Sequence, residues 1–127
     1  MVERAHMELP AALESPRSAR RFVSDQLLDW GYAGIVPEAA LLTSELVANA
    51  VQHAPEPFAV EVVDLSNGVV VTVEDAGDEL PVPRYPDPQA ERGRGLAIVE
   101  SIAAAWGAWT IADHGKFVWF RLAARQS

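Results

Sequence analysis

Three short stretches of this chain carry polar residues where apolar ones are the default. Glu45, Asn49 and His53 recur every fourth residue, so on a helix Asn49 lies about 40° and His53 about 80° round from Glu45. Leu42 and Leu46 fall among them, at about 60° and 100°, and the polar trio therefore enters an apolar stripe. Val47 and Val51 cover much of the opposite side, which predicts a central helix where a carboxylate without a partner costs several kcal/mol. A partner for Glu45 is demanded; the plainer alternative is a helix edge wetted by solvent. Val69, Val71 and Val73 share one strand face by the period of two, and Asp75 continues their row. A carboxylate at a strand end can accept the exocyclic amine of a base, and Gly77 two residues on lets backbone approach closely. An ordinary Asp-x-Gly turn is the alternative there. Arg92-Gly93-Arg94-Gly95-Leu96 precedes an apolar helix. The amides of Gly93, Gly95 and Leu96, with Arg92 or Arg94, would hold phosphate at the positive end of its dipole. Alone, a Gly-x-Gly before a helix is also just a flexible helix start.

The elements that must position these groups are legible in outline. Met7 to Leu13 reads as a short edge strand or extended lead-in, and Pro16 stands ahead of a helix from about Arg17 to Trp30, closed by Gly31. Pro37 and Glu38 open a second helix that carries Glu45 and Asn49 and ends near His53, before Ala54-Pro55. Phe58 to Leu65 and Val69 to Glu74 are strand-like runs joined at Ser66-Asn67-Gly68, where Asn and Gly tolerate positive φ. Pro81, Pro83, Pro86 and Pro88 forbid regular structure between Gly77 and Arg94. A third helix is expected from about Leu96 to Trp106, ended by Gly107, followed by a hairpin of Trp109 to Ala112 and Phe117 to Ala123. This order predicts an α+β two-layer sandwich: a mixed, mostly antiparallel sheet covered on one face by three helices.

Composition limits the function. At 127 residues with 50% hydrophobic and 22% charged residues, the chain has the size and make-up of a single globular domain. A net charge of -8 repels phosphate backbones and anionic lipid, which argues against nucleic-acid or membrane-surface binding and for a small ligand or protein partner. The absence of Cys excludes disulfides and thiolate metal sites and permits a reducing compartment. Met1 to Pro16 lacks the apolar core of a secretory signal, so the expected location is cytoplasmic. Gly95 to Ala112 approaches membrane-span length, but Glu100 interrupts it. His6, His53 and His114 lack metal-ligand spacing, and the four Trp fall in packing patterns. Arg17, Arg20 and Arg21 form a basic cluster, most simply a solvated face.

Taken in order, Glu45 to Ala54, Glu74-Asp75-Ala76-Gly77 and Arg92-Gly93-Arg94-Gly95-Leu96 resemble the N, G1 and G2 boxes of GHKL ATPases. The resemblance runs from about Leu9 to Ala123, and the short lid looks most like the anti-sigma factor serine kinase branch. It implies a Bergerat-type ATP-binding fold over residues 1–127, with an ATP lid at 77–94, and ATP and Mg²⁺ as cofactors. Asn49 would coordinate the Mg²⁺ bridging the phosphates, Glu45 would be the general base, and Asp75 would receive the adenine amine. Gly77 would shape the base pocket, and Gly93 and Gly95 the phosphate lid, with Arg92, Arg94 and Leu96 beside them. His53 matches a common family position in the nucleotide site. The chain departs from many relatives at Glu79, where a second glycine is usual, and at Phe117, where a Thr is usual and the ring is expected to crowd or stack near the base.

The function so implied is a Mg-ATP-dependent serine/threonine kinase acting on an anti-sigma antagonist of the STAS type and also sequestering a sigma factor. Many relatives form homodimers. The alternative is a non-catalytic module in which ATP orders the lid and switches affinity for a sigma factor or other regulator. The catalytic part of a sensor histidine kinase fits less well, since no helix with its own acceptor His precedes the ATP domain.

Overall fold

Alternating β-branched and aromatic residues build the sheet, and their period decides which face is covered. The structure, a computed structural model, describes residues 2–53, 56–75, 98–99, 101–111 and 115–126. Along the chain run β1 (Arg4–Leu9), α1 (Ser15–Asp29), a 3₁₀ turn (Ala33–Ile35), α2 (Val36–His53), β2 (Phe58–Asp64), β3 (Gly68–Asp75), β4 (Ala105–Ile111) and β5 (Gly115–Ala123). The strands form one sheet in the order β1-β2-β3-β5-β4, and each neighbouring pair is antiparallel. No pairing among the described residues is parallel, so the sheet is antiparallel rather than mixed. The edge strand begins at Arg4 and ends at Leu9, earlier than Met7 to Leu13, because Ala5, Met7 and Leu9 face the core in alternation.

Val60 and Val62 of β2, Val69, Val71 and Val73 of β3 and Val118, Phe120 and Leu122 of β5 are buried on one face. Against that face α1 lies over β1 and β2, and α2 over β3 and β5. Ala19, Val23 and Leu27 of α1 meet Ala39, Leu42, Leu46, Val47 and Ala50 of α2 in the same core. Each buried Val or Leu contributes roughly 1.5–3 kcal/mol relative to exposure. The other face carries Glu61, Thr72, Trp119 and Gly107 as one cross-strand row, half-buried. By length and composition Ala33–Gln52 could cross a membrane, whereas the sequence draws attention to Gly95 to Ala112. In this fold its apolar stripe is buried against the sheet, the arrangement of a core helix, and residues 105–111 of the other stretch are strand.

Helix α1 stops by a Schellman arrangement. Gly31 adopts φ 85°, its N–H donates to the Leu28 carbonyl at 3.2 Å, and the Tyr32 N–H donates to the Leu27 carbonyl at 2.8 Å. Tyr32 is thereby turned inward, where its hydroxyl donates to Asp64 Oδ1 at 2.7 Å. The same oxygen accepts the Ser66 N–H at 2.8 Å, and Gln126 Nε2 donates to Asp64 Oδ2 at 3.2 Å and to the Trp30 carbonyl at 3.0 Å. One carboxylate thus ties the end of α1, the β2–β3 turn and the C-terminal segment together. Burial, with the Asp64 charge and hydrogen bond, pushes the Tyr32 hydroxyl up to about 12. In the turn itself, Ser66 takes φ 72° and Gly68 φ 149°, so the positive-φ residues are Ser66 and Gly68 rather than Asn67 and Gly68.

The third helix ends earlier than its sequence suggests. Residues 98–99 and 101–102 are helical, and the Ala103 N–H donates to the Val99 carbonyl at 2.9 Å. The next amide, Ala104, donates to the Arg121 carbonyl at 2.9 Å and has already joined the sheet. Trp106 therefore belongs to β4, packing with Ala108 against the core, and Gly107 breaks no helix. Gly107 instead gives room to the Trp119 indole, whose Nε1 would stand 2.8 Å from a Cβ there. Among the described residues two helices are complete, and the start of the third lies outside them.

Candidate functional site

The buried stripe of α2 is Ala39, Leu42, Thr43, Leu46, Val47 and Ala50, spanning about 140° of the helix circumference. Glu45 and Asn49 stand together on one border of that stripe, both half-buried, with exposed Glu38 between them in angle and exposed Leu41 and Gln52 beyond. The helix is amphipathic, not apolar all round. Water reaches the Glu45 carboxylate, which is why its charge is tolerated without an ion-pair partner among the described residues. One turn apart on the same border, an acceptor-only carboxylate and an amide oxygen can address one ligand from the same side. His53 closes α2 at the third position of that series.

Asp75 is where the row of valines places it. It ends β3 on the helix-covered face, 3% exposed, with Val73 before it on the same side. Directly across the β3–β5 ladder stands Lys116, and its Nζ lies 3.6 Å from Asp75 Oδ1, both side chains 1% exposed. Lys116 is not legible as a site residue in the sequence, because Asp113-His114-Gly115-Lys116 has the composition of a turn before the last strand. β5 in fact begins at Gly115, and counting back by twos from Leu122 through Phe120 and Val118 lands on Lys116. A lysine on an apolar face needs an acid, and Asp75 is that acid. The same period corrects Phe117. It pairs with exposed Glu74 and shares the far face with Trp119, opposite the helix-covered face that carries Asp75.

The structure brings Asp75 and Lys116 together and lays α2, with Glu45 and Asn49 on its border, against the two strands that carry them. Gly77, Glu79, Arg92, Gly93, Arg94, Gly95 and Leu96 lie outside the described residues. Residues 9–122 match the sequence model of the family described as the histidine kinase-like ATPase domain. The chain belongs to that family. Curated proteins give no match. As a histidine kinase-like ATPase domain of the GHKL type, the chain is an ATP-binding domain. The chemistry of these groups is compatible with that ligand: a carboxylate such as Asp75 can accept from an amine, and the amide oxygen of Asn49 is of the hard type a divalent cation takes.

Proposed function

We propose that this ATPase domain is a Mg-ATP-dependent protein kinase of the anti-sigma factor type, transferring phosphate to a serine of a STAS-type antagonist. The observation that carries the reading is the pairing of Glu45 with Asn49 on the half-buried border of α2, the helix that packs on the strands of Asp75 and Lys116. Half-burial is what the chemistry asks. A base must meet an incoming hydroxyl, and a carboxylate sealed in the core could not.

Asp75 receives the adenine amine and fixes the base at the end of β3. Asn49 would hold Mg²⁺ through its amide oxygen, and the cation would supply charge neutralisation to the phosphates. Because Mg²⁺ keeps several waters, one Asn with the phosphates is chemically sufficient and no dedicated protein cage is required. Glu45 takes the proton of the partner's serine hydroxyl as that oxygen bonds to the γ-phosphorus. The bond from the γ-phosphorus to the β–γ bridging oxygen breaks, and ADP leaves with its electron pair. The glycines and arginines of the lid supply amides and charge to the phosphates. In this reading the protein acts in the cytoplasm and holds a sigma factor when the antagonist is phosphorylated.

The test mixes the protein and Mg-ATP with purified STAS-type antagonists and follows phosphoserine by mass spectrometry. Glu45→Ala should slow transfer by about 10²–10⁴-fold while nucleotide still binds. Transfer by that variant at the parent rate would remove Glu45 as the base. Nucleotide binding with no partner ever modified would leave the lid-switched binding module as the function.

A further inference from the structure

Buried ion pairs are poor stabilisers, because desolvation of both groups offsets their attraction, and two apolar residues of similar size usually do as well. The Asp75–Lys116 pair is nonetheless set into the one position where the apolar rows of β3 and β5 both end, directly opposite each other on the helix-covered face. Val73 and Val118 precede it and Val71 and Phe120 precede them, all buried, so two more valines would continue the core. The charge on Lys116 acts on the carboxylate that Proposed function gives to the base, and the inference rests on that reading.

We propose that Lys116 is the residue that makes the base site selective for an exocyclic amine. An ionised carboxylate accepts hydrogen bonds and cannot donate them. Facing Asp75 in that state, the amino group of adenine donates, whereas the carbonyl oxygen that hypoxanthine carries at the same ring position is repelled. The selection holds only while the carboxylate keeps its charge. A carboxylate buried to 1% exposure keeps that charge when a cation stands beside it, and the Lys116 ammonium 3.6 Å away is such a cation. Without Lys116 the carboxyl takes up a solvent proton and gains an O–H donor beside its C=O acceptor, and both purines are then accommodated. Lys116 acts through Asp75 and is a positioning residue.

The experiment is calorimetric titration of the whole chain with ADP and with IDP, in magnesium buffer, for the parent, Lys116→Met, Lys116→Gln and Lys116→Arg. The parent should prefer ADP by at least about 100-fold, since a site built for a hydrogen bond rejects the analogue that cannot make it. Lys116→Met should bring the ratio below about tenfold, and Lys116→Arg, which keeps the charge, should restore it. Lys116→Gln keeps a donor to the buried carboxylate without the charge and should relax the ratio equally. A parent-like ratio in Lys116→Gln or Lys116→Met, with only the melting temperature lowered, would show that Lys116 merely locks β3 to β5. A parent chain that binds neither nucleotide would overturn the ATP-site reading itself, a result distinct from loss of the ratio alone.

Discussion

A buried hydroxyl in mid-helix is an unusual choice, and Thr43 is fully buried in α2 with no hydrogen-bond partner for its Oγ1 among the described residues. Replacing it with Val removes the desolvated oxygen and keeps the branched shape, so Thr43→Val should raise stability by about 1 kcal/mol in urea unfolding; a loss would mean that the hydroxyl is satisfied. Tyr32 offers a sharper case. Its hydroxyl is held at about 12, above the ordinary value of about 10, so the folded state binds that proton more tightly. The stability it contributes is whole below about pH 10 and is lost as pH rises through about 12. Of the two tyrosines, one should therefore ionise late in a phenolate absorbance titration, and Tyr32→Phe should delete the late phase. At this scale the sequence was informative wherever periodicity reached. Asp75 was found because three valines pointed to it, and Glu45 and Asn49 because they interrupt leucines. Lys116 is hidden because the sequence pattern starts β5 two residues late, a slip that leaves the later alternation looking correct, whereas the expectation for Phe117 rests on its match to the relatives' Thr, which says nothing of the face it takes.

The elements show a second limit. The stop of α1 is marked by Gly31, local chemistry that owes nothing to tertiary contacts. The passage from the third helix to β4 has no such mark. Ala103-Ala104-Ala105-Trp106 suits a helix or a buried strand equally, and pairing with β5 decides between them, a contact that the local pattern does not contain. Gly107 reads locally as a helix stop, yet it makes space for Trp119 across the ladder. Gly68 shows the stricter use of glycine. It sits at φ 149°, and a Cβ there would run into the Leu122 carbonyl of β5. Gly68→Ala should cost about 1–3 kcal/mol through strain that neither backbone can relieve cheaply, read as a lower urea midpoint at unchanged slope. A midpoint equal to the parent's would show that the β2–β3 turn can reopen its register.

For the whole molecule, the layering separates two tasks. One sheet face is packed beneath α1 and α2 and ends in the Asp75–Lys116 pair, while the other carries Trp119 and Phe117 at half-burial. The proposed function puts the nucleotide chemistry on the first face, at the border that carries Glu45 and Asn49. A chain of net charge -8 gains little from long-range attraction for an anionic ligand, so binding must come from local contacts, to which the proposed reading adds a cation carried with the phosphates. The central claim is that Asn49 meets that cation. Titration of ATP into the parent and into Asn49→Ala, by tryptophan fluorescence, with magnesium and again with EDTA, tests it most directly. The parent should bind at least about tenfold more tightly with magnesium, the equivalent of about 1.4 kcal/mol, and Asn49→Ala should lose most of that difference while its magnesium-free affinity stays near the parent's. Equal magnesium dependence in the two proteins would contradict the assignment.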